Sequence, residues 1–220
     1  MQNLVIVGAS NPASIKLVEE INTGSVLKEG EWHLLGFLDD DPKKQGTQFF
    51  GYPVLGPIDA LGHLKAKAMC WIYGGSILTR LKVIARMTEC GADFATLVHP
   101  SVRTAHATIG AGSVIYEGTI LNYGVVLGPH CWIGFQTIVG HEAILDESVY
   151  CCQRNSISGR AHLCRGATLG MGSIVNDVTV GECAMVAPGA VVLHDVPARA
   201  TAVGNPARIF PETVDARHPL

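Results

Sequence analysis

Residues 109–169 read IGAGSVIYEGTILNYGVVLGPHCWIGFQTIVGHEAILDESVYCCQRNSISGRAHLCRGATL, with an apolar residue at every sixth place. These are Ile109, Ile115, Leu121, Leu127, Ile133, Val139, Leu145, Cys151, Ile157, Leu163 and Leu169. A helix repeats at 3.6 residues and a strand at 2, so neither explains the pattern. Four places after each apolar residue stands another that is nearly always small, from Ser113 and Thr119 to Ala167 and Ser173. Glycine often follows the apolar position, as at Gly110, Gly128, Gly134, Gly140 and Gly170. This is a hexapeptide repeat, whose physical reading is a parallel β-helix of short strands and turns. The aliphatic residue points inward, the small one fits where the chain bends, and glycine is expected to relieve the turn.

Three hexads make one triangular coil, so residues eighteen apart stack on one corner of successive coils, about 4.8 Å apart. After Leu169 the phase slips by one residue, with Val180, Val186 and Val192 as the next matches and an irregularity expected near Val175–Val178. The repeats make about four to five coils. They are expected to end at His194-Asp-Val-Pro-Ala, beyond which the tail runs over the surface.

Upstream of the repeats the texture changes. LVIVGAS reads as a buried strand over Leu4–Val7, and Asn11–Ile21 as a helix with Ser10 or Asn11 as its N-cap. WHLLGFLDDD is a second strand, Met69–Tyr73 a later one, and Ile77–Cys90 a further helix. Strand alternating with helix means a small parallel α/β (Rossmann-like) domain over residues 1–98, with the β-helix domain over 99–220.

Composition narrows the function classes. The chain of 220 residues is 48% hydrophobic, enough for a sizeable core, and its formal charge of −3 lacks the basic surplus that a nucleic-acid partner demands. The seven cysteines are odd in number and contain no C-x-x-C, so neither a disulfide framework nor a zinc ribbon is indicated, and a reducing cytoplasm is the expected setting. The opening MQNLVIVGAS has no basic leader, and its apolar run is too short for a signal peptide. Gly118–His141 is long enough to span a bilayer and contains no Asp, Glu, Lys or Arg. Its scattered glycines, Asn122, Pro129 and Gln136, and its six-residue period argue against a lipid-facing helix, so no membrane partner is expected.

An α/β domain followed by hexapeptide coils resembles the bacterial sugar acetyltransferases of the NeuD/PglD family. The matching pieces are VIVGAS at Val5–Ser10, GFLDDDP at Gly36–Pro42, GYPVLG at Gly51–Gly56, the His141-Glu142 pair and VGNPARI at Val203–Ile209. Together they cover almost the whole chain. The resemblance implies a left-handed parallel β-helix, a homotrimer, and acetyl-CoA as cosubstrate in the groove between neighbouring coils, with no metal. The acceptor it implies is a sialic acid or a nucleotide-linked amino sugar.

His141 falls on a turn, outside the packed prism, where an imidazole can take a proton from an attacking amine or hydroxyl. The resemblance places the catalytic base there and its acidic helper at Glu142, which would orient the ring and stabilise the imidazolium. The other repeat-region histidines, His130 and His162, read as solvated. Gly159 is His141 plus eighteen, one coil further on the same corner, and its N–H is the expected donor to the acetyl carbonyl as charge develops on the oxygen. The same glycine is also read as one that simply permits a turn. Tyr150 stands where some relatives place a histidine near acetyl-CoA, and Gln153-Arg154 replaces their usual Pro-Gly. The resemblance lays pantetheine and adenine against Ala187, Pro188 and Gly189, and gives Arg208 a CoA phosphate.

In the first domain, a strand running into a glycine turn and a helix start is an anion site. Gly8, Ser10 and Asn11 are therefore candidates for a nucleotide diphosphate, and Asp39 and Asp40 for its ribose or base. Asn11-Pro12-Ala13-Ser14 replaces the family's Gly-His-Gly-Lys-like continuation.

The expected reaction is direct attack of a sugar amine on the thioester. A covalent acetyl-cysteine route is disfavoured because Cys131 and Cys151 point inward and the others have no evident adjacent base. Alternatives are a sugar O-acetyltransferase acting on sialic acid, or a hexapeptide scaffold without catalysis. A serine-acetyltransferase-like enzyme would carry a helical N-terminal domain. A γ-type carbonic anhydrase needs two zinc-binding histidines five residues apart, a spacing absent among His99, His106, His130, His141, His162 and His194.

Overall fold

The computed structural model describes residues 1–25, 30–72 and 76–211, divided into two compact units, Met1–Pro100 and Ser101–Leu220. The first unit is built on strand β1 (Gln2–Val7), which pairs in parallel with β2 (Trp32–Leu38) and with β5 (Lys67–Cys70). β3 (Gln48–Phe49) and β4 (Tyr52–Gly56) complete the order β3-β4-β2-β1-β5, with β4 parallel to β2. Leu4, Val5, Ile6 and Val7 are all fully buried, the signature of a parallel strand covered on both faces. The later strand ends at Cys70, and its expected last residue, Tyr73, lies outside the described residues.

Helix α1 (Ala13–Gly24) buries Ile15, Leu17, Val18 and Ile21, spaced for one helix face. The Asn11 side-chain oxygen accepts the Ala13 N–H at 2.9 Å, while the Pro12 carbonyl accepts from Lys16. Asn11 therefore acts as the cap and Pro12 fills the first turn, where its missing N–H costs nothing. Helix α2 (Ile77–Glu89) is capped by Ser76, whose hydroxyl accepts the Leu78 N–H at 3.2 Å.

The second unit is a parallel β-helix of two-residue strands. One sheet stacks Thr108–Ile109, Val126–Leu127, Ile144–Leu145, His162–Leu163 and Thr179–Val180. A second contains Val114–Ile115, Trp132–Ile133, Tyr150–Cys151, Thr168–Leu169 and Met185–Val186. The third stacks Ile120–Leu121, Ile138–Val139, Ser156–Ile157, Ile174–Val175 and Val191–Val192. The second position of each pair turns inward, so Leu127, Leu145 and Leu163 stack as one ladder. The Gly118–His141 stretch is four two-residue strands and their turns, and no described helix is long and apolar enough to cross a membrane.

Three features differ from the expectations. The phase slip falls after Val175: Val175 is fully buried and pairs with Ile157 eighteen residues back, whereas His162 pairs with Thr179 seventeen ahead. The shortened turn is Asn176-Asp177-Val178, within the stretch expected to be irregular, but Val175 keeps the old phase instead of dropping out of it. The ladder also continues past Pro197: Val196 bridges Val180, Thr201–Val203 pairs with Met185–Val186, and Arg208–Phe210 turns back antiparallel on it. That segment makes a hairpin, stapled by buried Ala202, rather than a tail loose on the surface.

Finally, the repeat glycines are needed for close approach rather than to relieve a turn. A Cβ on Gly140 would strike the Gly159 backbone nitrogen and lie 2.5 Å from the Ser158 carbonyl carbon. The left-handed place is two residues later, at Glu142 (φ 58°) and Arg160 (φ 62°) among others.

Candidate active site

The turn from the third sheet to the first carries, in successive coils, Tyr123, His141 and Gly159. His141 and Glu142 are exposed side by side, with His141 Nδ1 3.0 Å from Glu142 Oε2. With Glu142 ionised, Nδ1 carries the proton it donates, and Nε2 keeps a free lone pair for a second proton. That nitrogen faces Gly159, because a Cβ built there would sit 2.5 Å from Nε2, 2.7 Å from Cε1 and 2.8 Å from Cδ2. The imidazole thus lies over a backbone bare of side chain. The Gly159 N–H donates to no acceptor among the described residues, and neither does that of His141 one coil below. An unengaged amide beside a basic nitrogen is an arrangement that can stabilise an oxyanion while a proton is taken.

Glu142 is also the start of a charge ladder not foreseen from the sequence. Arg160, one coil on, binds Asp177 at 2.7 Å. That bond, then the charge of Asp177 and, beyond a small opposing effect of desolvation, the charge of Glu142, raise the Arg160 guanidinium above its ordinary value. The signal was available in the spacings, since Glu142 and Arg160 differ by eighteen and Asp177 by seventeen more across the shortened coil.

The remaining coil candidates lie elsewhere on the prism. Tyr150 stands on the second sheet, 9% exposed, with its ring stacked on Trp132 at 5.6 Å. Ala187 and Gly189 lie on the turn from the second sheet to the third, where the Gly189 N–H binds the Met171 carbonyl. Arg208 is exposed on the hairpin that extends the second sheet. Within one chain, then, His141, Glu142 and Gly159 gather on one corner, while Tyr150, Ala187, Gly189 and Arg208 gather on the opposite sheet and its next corner.

In the α/β unit, Gly8, Ser10, Asn11 and Asp39 meet at the C-terminal ends of β1 and β2. Asp39 accepts the Ala9 N–H at 3.0 Å and the Lys44 ammonium at 2.8 Å. Burial works to raise this carboxyl, but Lys44 and the Asp41 and Ala9 amides outweigh it and hold it below the ordinary aspartate value. Lys44 also donates to the Ala9 carbonyl at 3.0 Å, which puts an unforeseen cation at the glycine turn. Asp40 turns away to Arg86 at 2.6 Å and to the Ile58 N–H at 3.1 Å, fastening α2 to β2.

Three readings of single residues change. His130 is 8% exposed, with its ring stacked against Gly112, so it is a packed histidine rather than a solvated one. His162 is not simply solvated either: its Nε2 lies 3.0 Å from Asp146 Oδ2. Cys164 is not remote from a base, because its sulfur lies within 4.8 Å of the His162 and Asp146 ligand atoms. Burial, with the charges of Asp146 and Glu182, raises the Cys164 thiol and keeps it protonated at neutral pH, which makes it a poor nucleophile.

A small parallel α/β unit followed in the chain by a parallel β-helix defines a class of architecture, and solved structures share this fold. Perosamine N-acetyltransferase from Caulobacter crescentus, in complex with CoA and GDP-perosamine, superposes with a TM-score of 0.83 at 23% identity, covering 96% of this chain and 98% of that one. The acetyltransferase domain of PglB from Neisseria gonorrhoeae, in complex with acetyl coenzyme A, gives 0.80 at 24% identity over 95% and 99% of the two chains. WeeI from Acinetobacter baumannii gives 0.77 at 24% over 96% and 100%. By sequence, serine acetyltransferase 2 from Arabidopsis thaliana is 31% identical over 134 residues, 60% of this chain and 37% of that protein. The serine acetyltransferase of Synechococcus elongatus is 30% identical over 145 residues, 64% and 52% of the two. The chain spans about a third to a half of the length of these curated relatives. No family model matches the chain.

Proposed function

We propose that the protein transfers acetyl from acetyl-CoA to the amino group of a nucleotide-linked amino sugar. The observation that carries this reading is His141, held by Glu142 through Nδ1, with Nε2 over Gly159 and its unengaged N–H. The sugar nitrogen attacks the thioester carbonyl carbon while His141 Nε2 takes its proton and Glu142 stabilises the imidazolium. The Gly159 N–H binds the oxyanion; its collapse breaks the carbon–sulfur bond, and the CoA thiolate leaves to be protonated. The similar structures include perosamine N-acetyltransferase in complex with CoA and GDP-perosamine, as variants with one histidine replaced by asparagine or alanine.

The split between the two groups of coil residues supports a homotrimer in which one copy offers His141, Glu142 and Gly159, and its neighbour offers Tyr150, Ala187, Gly189 and Arg208 to CoA. Exposed apolar residues flank the His141 turn on both sides, Ile120, Ile138 and Ile174 on the third sheet and Val126 and Ile144 on the first, each at least 40% exposed. Apolar surface of this kind is what an interface covers. In the α/β unit, the nucleotide is assigned to Gly8, Ser10 and Asn11 with Asp39 and Lys44, while Asp40 serves mainly as the anchor of Arg86.

The test is His141→Ala. This variant is expected to bind acetyl-CoA within a fewfold of the wild type by calorimetry while transfer falls by about 10²–10⁴-fold. Unchanged transfer would remove His141 from the mechanism.

A further inference from the structure

A group of side chains of mixed metal-binding type lies across the first sheet from the His141 corner, on the turn toward the second. Asp146 and Cys164 are eighteen residues apart and occupy the same place in successive coils, so the fold sets one directly over the other at the rung spacing of about 4.8 Å. His162 precedes Cys164 by two, and the inward Leu163 between them puts both outward. One ligand atom from each of the three lies within 4.8 Å of the others, and His162 Nε2 is already 3.0 Å from Asp146 Oδ2.

We propose that Asp146, His162 and Cys164 form a binding site for a divalent cation of the zinc class, fastening two successive coils. An imidazole nitrogen, a sulfur and a carboxylate oxygen are the donor types that zinc accepts, whereas magnesium and calcium take oxygen. Zinc bond lengths of about 2.0–2.3 Å bring tetrahedral donors to about 3.3–3.8 Å from one another, a closure that side-chain rotation can supply. All three residues are half-buried, open enough for entry.

The surroundings leave these donors available. Arg165, the residue after Cys164, is taken by Glu147 at 3.1 Å and Glu182 at 3.6 Å rather than by Asp146. Among the described residues the Cys164 thiol makes no hydrogen bond. A dication favours the thiolate, and the thiol proton passes to solvent as the metal–sulfur bond forms. Asp146 and the thiolate then balance the two positive charges, His162 binds through a neutral ring nitrogen, and a water completes four-coordination. The site uses no residue of the proposed transfer chemistry.

The test uses the full chain freed of metal and titrated with Co²⁺, whose bond to a thiolate gives a near-ultraviolet charge-transfer band. One equivalent per chain with that band is expected. The band should vanish in Cys164→Ser and persist in Cys152→Ser, whose sulfur lies on a different corner. Zinc affinity, read by competition with a chromophoric chelator, should fall by more than about tenfold in His162→Asn and Asp146→Asn. Thermal melting without metal should show all four variants folded. No binding, binding without the band, or a band that survives Cys164→Ser would overturn the site, as would zinc affinity unchanged in both His162→Asn and Asp146→Asn.

Discussion

Gly159→Ala separates the chemistry of the His141 corner from its stability. The added methyl would lie 2.5–2.8 Å from three atoms of the imidazole, whereas non-bonded carbon contacts settle near 3.5 Å. The ring must therefore retreat by about 1 Å. Its side chain is 57% exposed, so it can move into solvent, and the Gly159 backbone is not left-handed, so alanine adds no strain there. Stability should change by less than about 0.5 kcal/mol, a shift of about 1–2 °C in Tm. A 1 Å displacement of a catalytic group costs about 10²-fold in rate. Scanning calorimetry and acetyl transfer measured on one preparation make the comparison. The neighbouring Gly140→Ala is the counterpart, because its methyl meets backbone of the next coil, which cannot retreat. That variant should lose about 1–3 kcal/mol of stability. If Gly159→Ala melted as early as Gly140→Ala, or retained full turnover, the placement of the ring over Gly159 as the reason for that glycine would be wrong.

Other perturbations test separate parts of the structure. Glu142→Gln keeps a partner for Nδ1 but removes the charge, so turnover should fall more than about tenfold with the acetyl-CoA KM little changed; equal kcat would show that Glu142 does not act through the ring. Asp39 has its carboxyl held below the ordinary value, so its stabilisation is present above the unfolded pKa of about 3.9 and is lost as pH falls through the folded value. Asp39→Asn should therefore melt earlier than wild type at pH 7, with the gap closing toward pH 2–3; a gap that stayed constant would refute the pairing with Lys44. Phe50 (φ 47°) and Gly51 (φ 83°) form the two-residue turn between β3 and β4. Gly51→Ala has open space around its methyl but the wrong backbone hand, so it should cost about 1 kcal/mol and leave transfer unchanged.

How far the sequence is legible follows from the range of each interaction. The coils are written at a period of six because every hexad meets the same environment, and His141 over Gly159 follows from adding one coil length. The irregularity at Val175–Val178 was legible, but the inward place of Val175 was not, because Val175 satisfies the old phase and Val180 the new one, and only strand pairing decides which residue turns inward. The role of the repeat glycines was misread because a tight backbone approach, as at Gly140, leaves no local sign distinct from a turn. Lys44 reaches Ala9 across 35 residues, a contact that depends on how β1 and β2 pair. The Asp146, His162 and Cys164 group hides for a related reason: one member sits a full coil away from the other two, so no compact motif announces it.

The central claim is acetyl transfer to a sugar amine at the His141 corner. It is tested most directly by incubating the protein with labelled acetyl-CoA and a panel of UDP-, GDP- and dTDP-linked 4-amino sugars, free sialic acid and L-serine, and identifying the acetylated product by mass spectrometry. The account predicts label on the nitrogen of one amino-sugar nucleotide and none in His141→Ala. Label confined to sialic acid or serine oxygen, or transfer that persists in His141→Ala, would contradict it.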